Sequence, residues 1–389
     1  MPPSLFAYGF RPFFLGAGLA ALIHVPWWAA SVALGWSLST AWPPMLWHGH
    51  EMLFGFIAAA IAGFLLTAVP SWTGHRGFAG APLVAIVALW LLARLAILSS
   101  QHWPFWLIAT LDLAFLPTLA VMVAVPLFRS KNRNAPLLAV LSALWACNVA
   151  FYWGLRHDDA PFAGHAVKIG IDIVLVLVTI IGGRIVPAFT AAGLKQAGHS
   201  VSLRAWPFVM PIVISLMALN ALADAFVPDS PLVAGIAAAA ALAQGVRLAQ
   251  WRPLHTRGQP IVWILHVAYA WLAVGLALKA AALLGHLAIS AFWLHALTIG
   301  AITSMILAVM TRAALGHTGR PLVVSPLISA AYLLVSAAAI VRVFALSVLG
   351  VGYPAIILAS GFVWAVAFAL YVGVYAPILC SPRVDGRAG

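Results

Sequence analysis

Residues 45–70 read MLWHGHEMLFGFIAAAIAGFLLTAVP, and this stretch decides the fold. It carries one charged side chain, Glu51. A helix needs about 20 apolar residues to cross the hydrocarbon core of a bilayer. Pro43 and Pro44 lie at its beginning, and proline suits the first turn of a helix. The stretch therefore predicts a membrane-spanning helix whose histidines lie near its first turn.

The composition extends this prediction to the whole chain. Of the 389 residues, 64% are hydrophobic and 7% are charged, whereas a soluble domain is about half apolar and about a quarter charged. This balance excludes a soluble enzyme, a disordered chain, a disulfide-rich secreted module and a nucleic-acid-binding protein. The two cysteines, Cys147 and Cys380, match no metal-binding spacing. The lipid bilayer is the predicted surrounding of the chain.

Proline, glycine and charged residues separate twelve apolar runs. We predict an all-α integral membrane protein in which residues 1–389 form a single domain, because the connecting loops are too short to fold independently. The predicted transmembrane helices cover residues 12–36, 45–70, 81–99, 104–128, 134–155, 163–189, 204–224, 231–250, 260–285, 290–315, 325–348 and 352–380.

Lysine and arginine are concentrated on one set of the predicted loops. The opposite set carries only Arg156. Cytoplasmic loops of membrane proteins carry an excess of these residues, so we predict that both termini are cytoplasmic. The net charge of +12 is then a property of these loops. The residues of the basic set are Arg11, Arg76, Arg129, Lys131, Arg133, Lys195, Arg204, Arg247, Arg252, Arg257, Arg312, Arg320, Arg383 and Arg387.

Several ionisable residues lie inside the predicted helices. Charged groups within a bilayer are costly and usually face an interior site. With the predicted orientation, only Arg184 falls in the inner half of the membrane. The others lean toward the outer half, and they are Arg94, Asp112, Lys168, Asp172, Lys279 and Arg342.

Four histidines share this outer depth. His48 and His50 open the second predicted helix, and His165 and His295 open the sixth and tenth. At about 100° per residue, His48 and His50 point to nearly opposite sides, so they can serve two sites that flank one helix. Glu51 follows as a hydrogen-bonding partner or proton relay.

Imidazole is a common ligand of haem iron and copper. These histidines therefore predict haem b, one or two groups, with copper as a further candidate. Arg94, Lys168, Lys279 and Arg342 are candidate partners of the haem propionates. In the alternative interpretation, the histidines are hydrogen-bonded packing residues and the cations pair with nearby carboxylates, as Lys168 could with Asp172 one helical turn away.

The second and sixth predicted helices also resemble each other. His48 precedes Val-Pro-Ser-Trp-Thr at residues 69–73, and His165 precedes Val-Pro-Ala-Phe-Thr at 186–190, with the same spacing. We interpret this as an internal repeat of four helices, with units near residues 1–128, 129–250 and 251–389. The repeat would place one histidine at the outer end of each second helix.

These segments resemble the NnrS family. The resemblance rests on residues 8–14 (YGFRPFF), 47–56 (WHGHEMLFGF), 63–74 (GFLLTAVPSWTG) and 316–320 (GHTGR), and it extends over essentially the whole chain. It implies a twelve-span protein of the bacterial inner membrane that contains haem and copper and is associated with denitrification and nitric oxide defence. More distantly, the arrangement resembles the catalytic subunits of haem–copper oxidases and nitric oxide reductases. Unlike them, this chain has no histidine pair in its seventh span.

Two functions of different classes follow from these patterns. In the first, the protein binds, senses or turns over nitric oxide or a related nitrogen oxide at a haem; as an enzyme it would be a haem-dependent oxidoreductase, with an electron donor that the sequence does not identify. In the second, it transports a metal, haem or a small anion. Transport would favour an interrupted helix, for which Gly182 and Gly183 in the sixth span are the candidate break.

Overall fold

A computed structural model describes residues 4–198, 203, 206–285 and 292–387. Within these ranges the chain is helical and has no strand, and twelve helices are long and apolar enough to cross a membrane. The all-α fold and the number of spans are thus confirmed. Arg204, one of the basic loop residues, lies outside the described residues. The helices are α1 Phe10–Leu34, α2 Pro44–Thr73, α3 Ala81–Leu98, α4 Phe105–Arg129, α5 Leu137–Arg156, α6 Ala160–Gln196, α7 Val209–Phe226, α8 Pro231–Gln250, α9 Pro260–Gly285, α10 Trp293–His317, α11 Pro326–Leu349 and α12 Tyr353–Cys380.

Helix α6 is longer than predicted and runs without a break through Gly182 and Gly183. A β-carbon placed on Gly183 would lie 1.8 Å from a terminal nitrogen of Arg247. The glycine therefore makes room for a guanidinium group and does not interrupt the helix. This observation removes the interrupted helix that the transport hypothesis would favour.

The chain divides into two compact units that are not contiguous in sequence. Unit 1 comprises Met1–Gly170, Arg312–Leu322 and Phe368–Gly389, and unit 2 comprises Ile171–Thr311 and Val323–Ala367. These boundaries differ from the repeat boundaries near residues 128 and 250, so the three-fold repeat stays a prediction.

Small residues let α1 approach α2 closely in unit 1. A β-carbon on Gly63 would lie 2.7 Å from the ring of Phe14, and one on Gly9 would lie 2.4 Å from Leu66. Neither position can accept a side chain without displacing its neighbour, because protein interiors are close-packed. Glycine at both contact points thus fixes the α1–α2 pair, which carries the first candidate site.

Among the described residues, two helices contain a π-helical segment. In α2 it covers Glu51–Ile57 and in α10 it covers Ala296–Thr303. The first begins directly after His50 and the second directly after His295. π-Helical turns are rare, and they are frequent at functional sites. The wider winding changes which side chains face each neighbouring helix from that point on. Because each segment begins directly after a histidine, the backbone conformation indicates that His50 and His295 lie at candidate functional sites.

Candidate buried histidine sites

His50 lies in a buried polar pocket of unit 1. Its side chain is fully buried. The Nδ1 atom lies 3.1 Å from Oε1 of Glu51, and Nε2 lies 3.1 Å from Oδ2 of Asp112 and 3.0 Å from Oδ1 of Asn148. Asn148 also donates from Nδ2 to Asp112 at 2.8 Å. Both ring nitrogens of His50 are therefore engaged by groups of α2, α4 and α5.

Arg94 of α3 supplies positive charge to the same pocket. Its guanidinium donates to Glu51 at 2.6 Å and also forms an ion pair with Asp112. All three side chains are at most 5% exposed. A buried carboxylate requires a charged or hydrogen-bonding partner. The contacts thus make Arg94 the counter-ion of two carboxylates, a role that sequence reasoning had considered as the alternative to propionate binding.

The opposite side of α2 presents His48. Its ring stacks on Trp28 of α1, with ring centroids 4.0 Å apart and planes 17° from parallel. His24, also on α1, lies with Nδ1 3.7 Å from Oε2 of Glu51. His48 and His50 therefore contact different helices, as their spacing predicts. The two histidines belong to separate environments on one helix.

His165 lies near the first turns of α6, which pack against the first turns of α2. A β-carbon on Gly49 would lie 3.3 Å from Val167, and one on Gly164 would lie 3.8 Å from Leu46. His48 and His165 are therefore carried by contacting segments of unit 1. Lys168, the candidate propionate partner beside them, has an exposed side chain.

His295 and Arg342 lie near each other in unit 2. The ring of Phe292 is 6.4 Å from the ring of His295, and the guanidinium carbon of Arg342 is 4.8 Å from the centre of the Phe292 ring. The same guanidinium lies 5.0 Å from the ring of Tyr353 and donates to its hydroxyl at 2.9 Å. Arg342 is 3% exposed. The aromatic pair thus shields a buried cation close to a candidate ligand.

Lys279 of α9 is buried in another polar group of unit 2. Its ammonium forms an ion pair with Asp224 and lies 3.2 Å from Oδ1 of Asn220. Asn220 in turn donates to Asp172 at 3.2 Å. The ammonium also lies 5.0 Å from the centre of the Trp293 ring, a distance at which cation–π attraction operates. Lys279, like Arg94, thus has a carboxylate partner within the protein.

Two basic residues that sequence reasoning assigned to cytoplasmic loops are buried. Arg247 is 4% exposed and donates from Nη1 to the carbonyl of Thr179 at 3.1 Å and to the hydroxyl of Tyr269 at 3.0 Å. Arg11 is fully buried and donates to the carbonyls of Leu379 and Ser381. A long side chain near a helix end can turn inward to satisfy backbone carbonyls, and the side of the membrane on which these two helix ends lie stays a prediction.

A cavity of about 310 Å³ lies in unit 1 beside the His50 pocket. Its lining includes Trp42, Leu46 and Phe105, and the Trp42 ring also makes an edge contact with His50 at 5.1 Å. Trp42 therefore separates the cavity from the buried polar pocket. The volume is at the lower end of the range for ligand pockets, about 300–1,000 Å³. The cavity is large enough for a small ligand, or for a route by which one reaches the His50 pocket.

Among the described residues, no group of three or more histidine, cysteine, aspartate or glutamate side chains could hold a metal ion. A metal bound only by protein usually needs three or four such ligands. Haem iron needs only one or two, because the porphyrin supplies the rest.

The fold and these sites define a multi-pass helical membrane protein with buried histidines and compensating charges. The chain belongs to the NnrS family, whose model, described as "NnrS protein", matches residues 4–383. A search of curated proteins gives no match. The family assignment fits a membrane protein with a role related to nitric oxide.

Proposed function

We propose that this protein is a haem b protein of the bacterial inner membrane that acts in nitric oxide defence or denitrification. It would bind or turn over a small nitrogen oxide, of which nitric oxide is the first candidate. The observation that carries the proposal is the position of the two π-helical segments: one begins three residues after His48, at the edge of the His50 pocket, and the other begins directly after His295. Such segments accompany functional sites, and histidine is a common haem ligand.

His48, His165 and His295 are the residues that would hold the haem iron. His50 is assigned a different role, since both its nitrogens contact side chains of the Glu51–Asp112–Asn148 pocket and a ligand nitrogen needs an available lone pair. His48 and His165 would serve unit 1, and His295 would serve unit 2, which agrees with one or two haems per chain. Copper is a further candidate, to be measured on the same sample.

When bound, haem would supply an iron atom able to bind a diatomic gas or to transfer electrons. The protein's own residues would orient the ligands. Trp28 holds the His48 ring by stacking at 4.0 Å, and Arg94 balances the carboxylates beside His50. The buried apolar helices would exclude water from the macrocycle.

The test is spectroscopy of the protein purified in detergent. Oxidised and dithionite-reduced spectra, a pyridine haemochrome assay and copper analysis should be made on one sample. We expect a sharp reduced α-band and one or two haems per chain. Addition of nitric oxide to the reduced protein would then shift the Soret band if an iron has an open position.

Single substitutions assign the ligands. His48→Ala or His165→Ala should remove the haem of unit 1, and His295→Ala that of unit 2, whereas His102→Ala, at an exposed residue, should leave the haem content unchanged. The double variant His48→Ala/His50→Ala should lose haem as well. A folded wild-type protein that stays colourless and metal-free after haem supplementation would refute the proposal and favour the transporter.

A further inference from the structure

Arg342 is a buried cation without a carboxylate partner among the described residues. Its side chain is 3% exposed, Nη2 donates to the hydroxyl of Tyr353, and Nη1 has no hydrogen-bond partner there. The other buried cations are compensated in two ways: Arg94 and Lys279 pair with internal carboxylates, and Arg247 donates to a carbonyl and a hydroxyl. Arg342 has neither a carboxylate nor a partner for Nη1 among the described residues.

The rest of the sequence cannot provide the missing negative charge. The chain has eight acidic residues, and all of them lie within the described ranges. Five make the ion pairs or hydrogen bonds found above or in the C-terminal segment, and the other three are exposed. The first group is Glu51, Asp112, Asp172, Asp224 and Asp385, and the second is Asp158, Asp159 and Asp229.

The surroundings of Arg342 offer more than charge. The hydroxyl of Tyr353 accepts from Nη2, so its own proton has no acceptor among the described contacts and can be donated. Nη1 is a second donor in the same cluster. The rings of Phe292 and Tyr353 lie nearly parallel, 18° apart, and both contact the guanidinium. Two donors beside aromatic walls suit a small planar anion with two oxygens.

We propose that Arg342 and Tyr353 form a binding site for a planar two-oxygen monoanion, with the Phe292 ring as its wall. Two sources share this chemistry, namely a free oxyanion such as nitrite and the carboxylate of a haem propionate. The second source rests on the function proposed above, because Phe292 also contacts the ring of His295 at 6.4 Å. The first source requires no haem.

The probes are sodium nitrite and sodium acetate, added to the purified full chain with sodium chloride as the control at equal ionic strength, so that screening is constant. The readout is the midpoint of thermal unfolding, since a ligand of the folded state raises it in a saturable way. The measurement is made on protein as purified and on protein depleted of haem. The haem content is measured in parallel by the pyridine haemochrome assay.

Arg342→Gln should weaken the apparent nitrite affinity at least about tenfold, the loss expected when one charge-assisted hydrogen bond is removed. Tyr353→Phe keeps the aromatic wall and removes one donor, so a smaller loss is expected. Arg342→Lys keeps the charge and serves if Arg342→Gln fails to fold. Arg156→Gln is the matched control, at an exposed arginine near the end of α5.

The outcomes separate the two sources. Stabilisation by nitrite and acetate in both haem-loaded and haem-depleted protein identifies a free oxyanion. Stabilisation only in depleted protein, together with lower haem content in Arg342→Gln, identifies a propionate. If neither anion stabilises either preparation and Arg342→Gln retains wild-type haem content, the anion site is refuted. A protein that never binds haem still gives a result in the nitrite titration, so failure of the haem proposal is recognised separately.

Discussion

Arg94 gives the sharpest test of what stabilises the His50 pocket. Its guanidinium is 5% exposed and forms ion pairs with Glu51 and Asp112. Removing one partner of a buried ion pair costs about 3–5 kcal/mol, because it leaves the remaining charge uncompensated. Arg94→Met keeps most of the side-chain volume and should therefore lower the free energy of unfolding by about that amount.

The same substitution should be nearly harmless once the carboxylates are neutral. In a Glu51→Gln/Asp112→Asn background, Arg94 is itself an uncompensated buried cation, so Arg94→Met should be neutral or stabilising there. The difference between the backgrounds, at least about 3–5 kcal/mol, is the coupling of Arg94 to its two carboxylates.

The assay is thermal unfolding in detergent, followed by the near-ultraviolet circular dichroism of the tryptophans at one fixed scan rate, because unfolding of such proteins is often irreversible. At the 2–4 °C per kcal/mol typical of domains of 150–250 residues, Arg94→Met should lower the midpoint by at most about 6–20 °C. Arg156→Met, at an exposed arginine, should change stability by less than about 0.5 kcal/mol. Equal losses from Arg94→Met in both backgrounds would show that packing of the side-chain stem, and not charge, is what Arg94 contributes.

Two further predictions concern glycines and one concerns pH. Gly183→Ala should destabilise the protein, because its β-carbon would displace the Arg247 guanidinium from Thr179 and Tyr269. Gly235→Ala in α8 is the control in the same thermal assay. Gly235 has open space around it, so this change should be neutral or stabilising by up to about 1 kcal/mol. Gly319→Ala should make the C-terminal segment more accessible to trypsin, because Gly319 has φ of +75° and its β-carbon would lie 2.8 Å from Asp385. Gly316→Ala is the control: its β-carbon would meet only Leu322 at 3.7 Å, so cleavage should not change. Arg383 holds the pKa of the Asp385 carboxyl below its usual range. The stabilisation that this ion pair gives to the folded protein is therefore fully present above the ordinary aspartate pKa of about 4, and it is lost only as the pH falls through the lowered pKa. Between pH 8 and pH 6, the rate of trypsin cleavage at Arg383 should therefore change only as much as the rate for a small peptide substrate changes. Additional cleavage at Arg383 at pH 6 would contradict the pairing of Arg383 with Asp385.

The sequence determines the spans well because apolar length and charge are local properties. The predicted and observed bounds of the second span, 45–70 and Pro44–Thr73, differ by at most three residues. The opposite directions of His48 and His50 were also predictable, since they follow from helical geometry alone. Even the alternative for Arg94, a carboxylate partner, could be stated from its shared depth with Asp112.

The contacts of the sites could not be predicted, because they depend on which helices touch. Asn148 lies 98 residues from His50 along the chain, yet it contacts Nε2 of the His50 ring, the same nitrogen that Asp112 contacts. No residue pattern marks the π-helical winding after His50 and His295. The burial of Arg247 had one signal in the sequence, Gly183. From the sequence alone this glycine indicated a helix break, whereas in the structure it leaves space for the Arg247 guanidinium.

The hydrogen bonds of His50 also constrain the proton count of its pocket. Two carboxylates and Arg94 carry one net negative charge, and both imidazole nitrogens face acceptors. A neutral imidazole donates from only one nitrogen, so either the ring is protonated or one carboxyl is. Both arrangements contain the same number of protons and make the pocket neutral. His50 therefore shares a proton with its neighbours, which is why the proposed haem ligands are the other histidines.

His295 precedes the second π-helical segment as His50 precedes the first, but the charges near it are balanced differently. The cation beside His50 is neutralised by Glu51 and Asp112, whereas Arg342, one aromatic ring away from His295, has no carboxylate among the described residues. The same backbone feature is thus combined with carboxylates that pair with Arg94 in unit 1 and, among the described residues, with no carboxylate paired with Arg342 in unit 2. An uncompensated buried charge is costly, so unit 2 gains more from an external anion. Nitrite or acetate should therefore stabilise the protein through Arg342 and have no corresponding effect through Arg94.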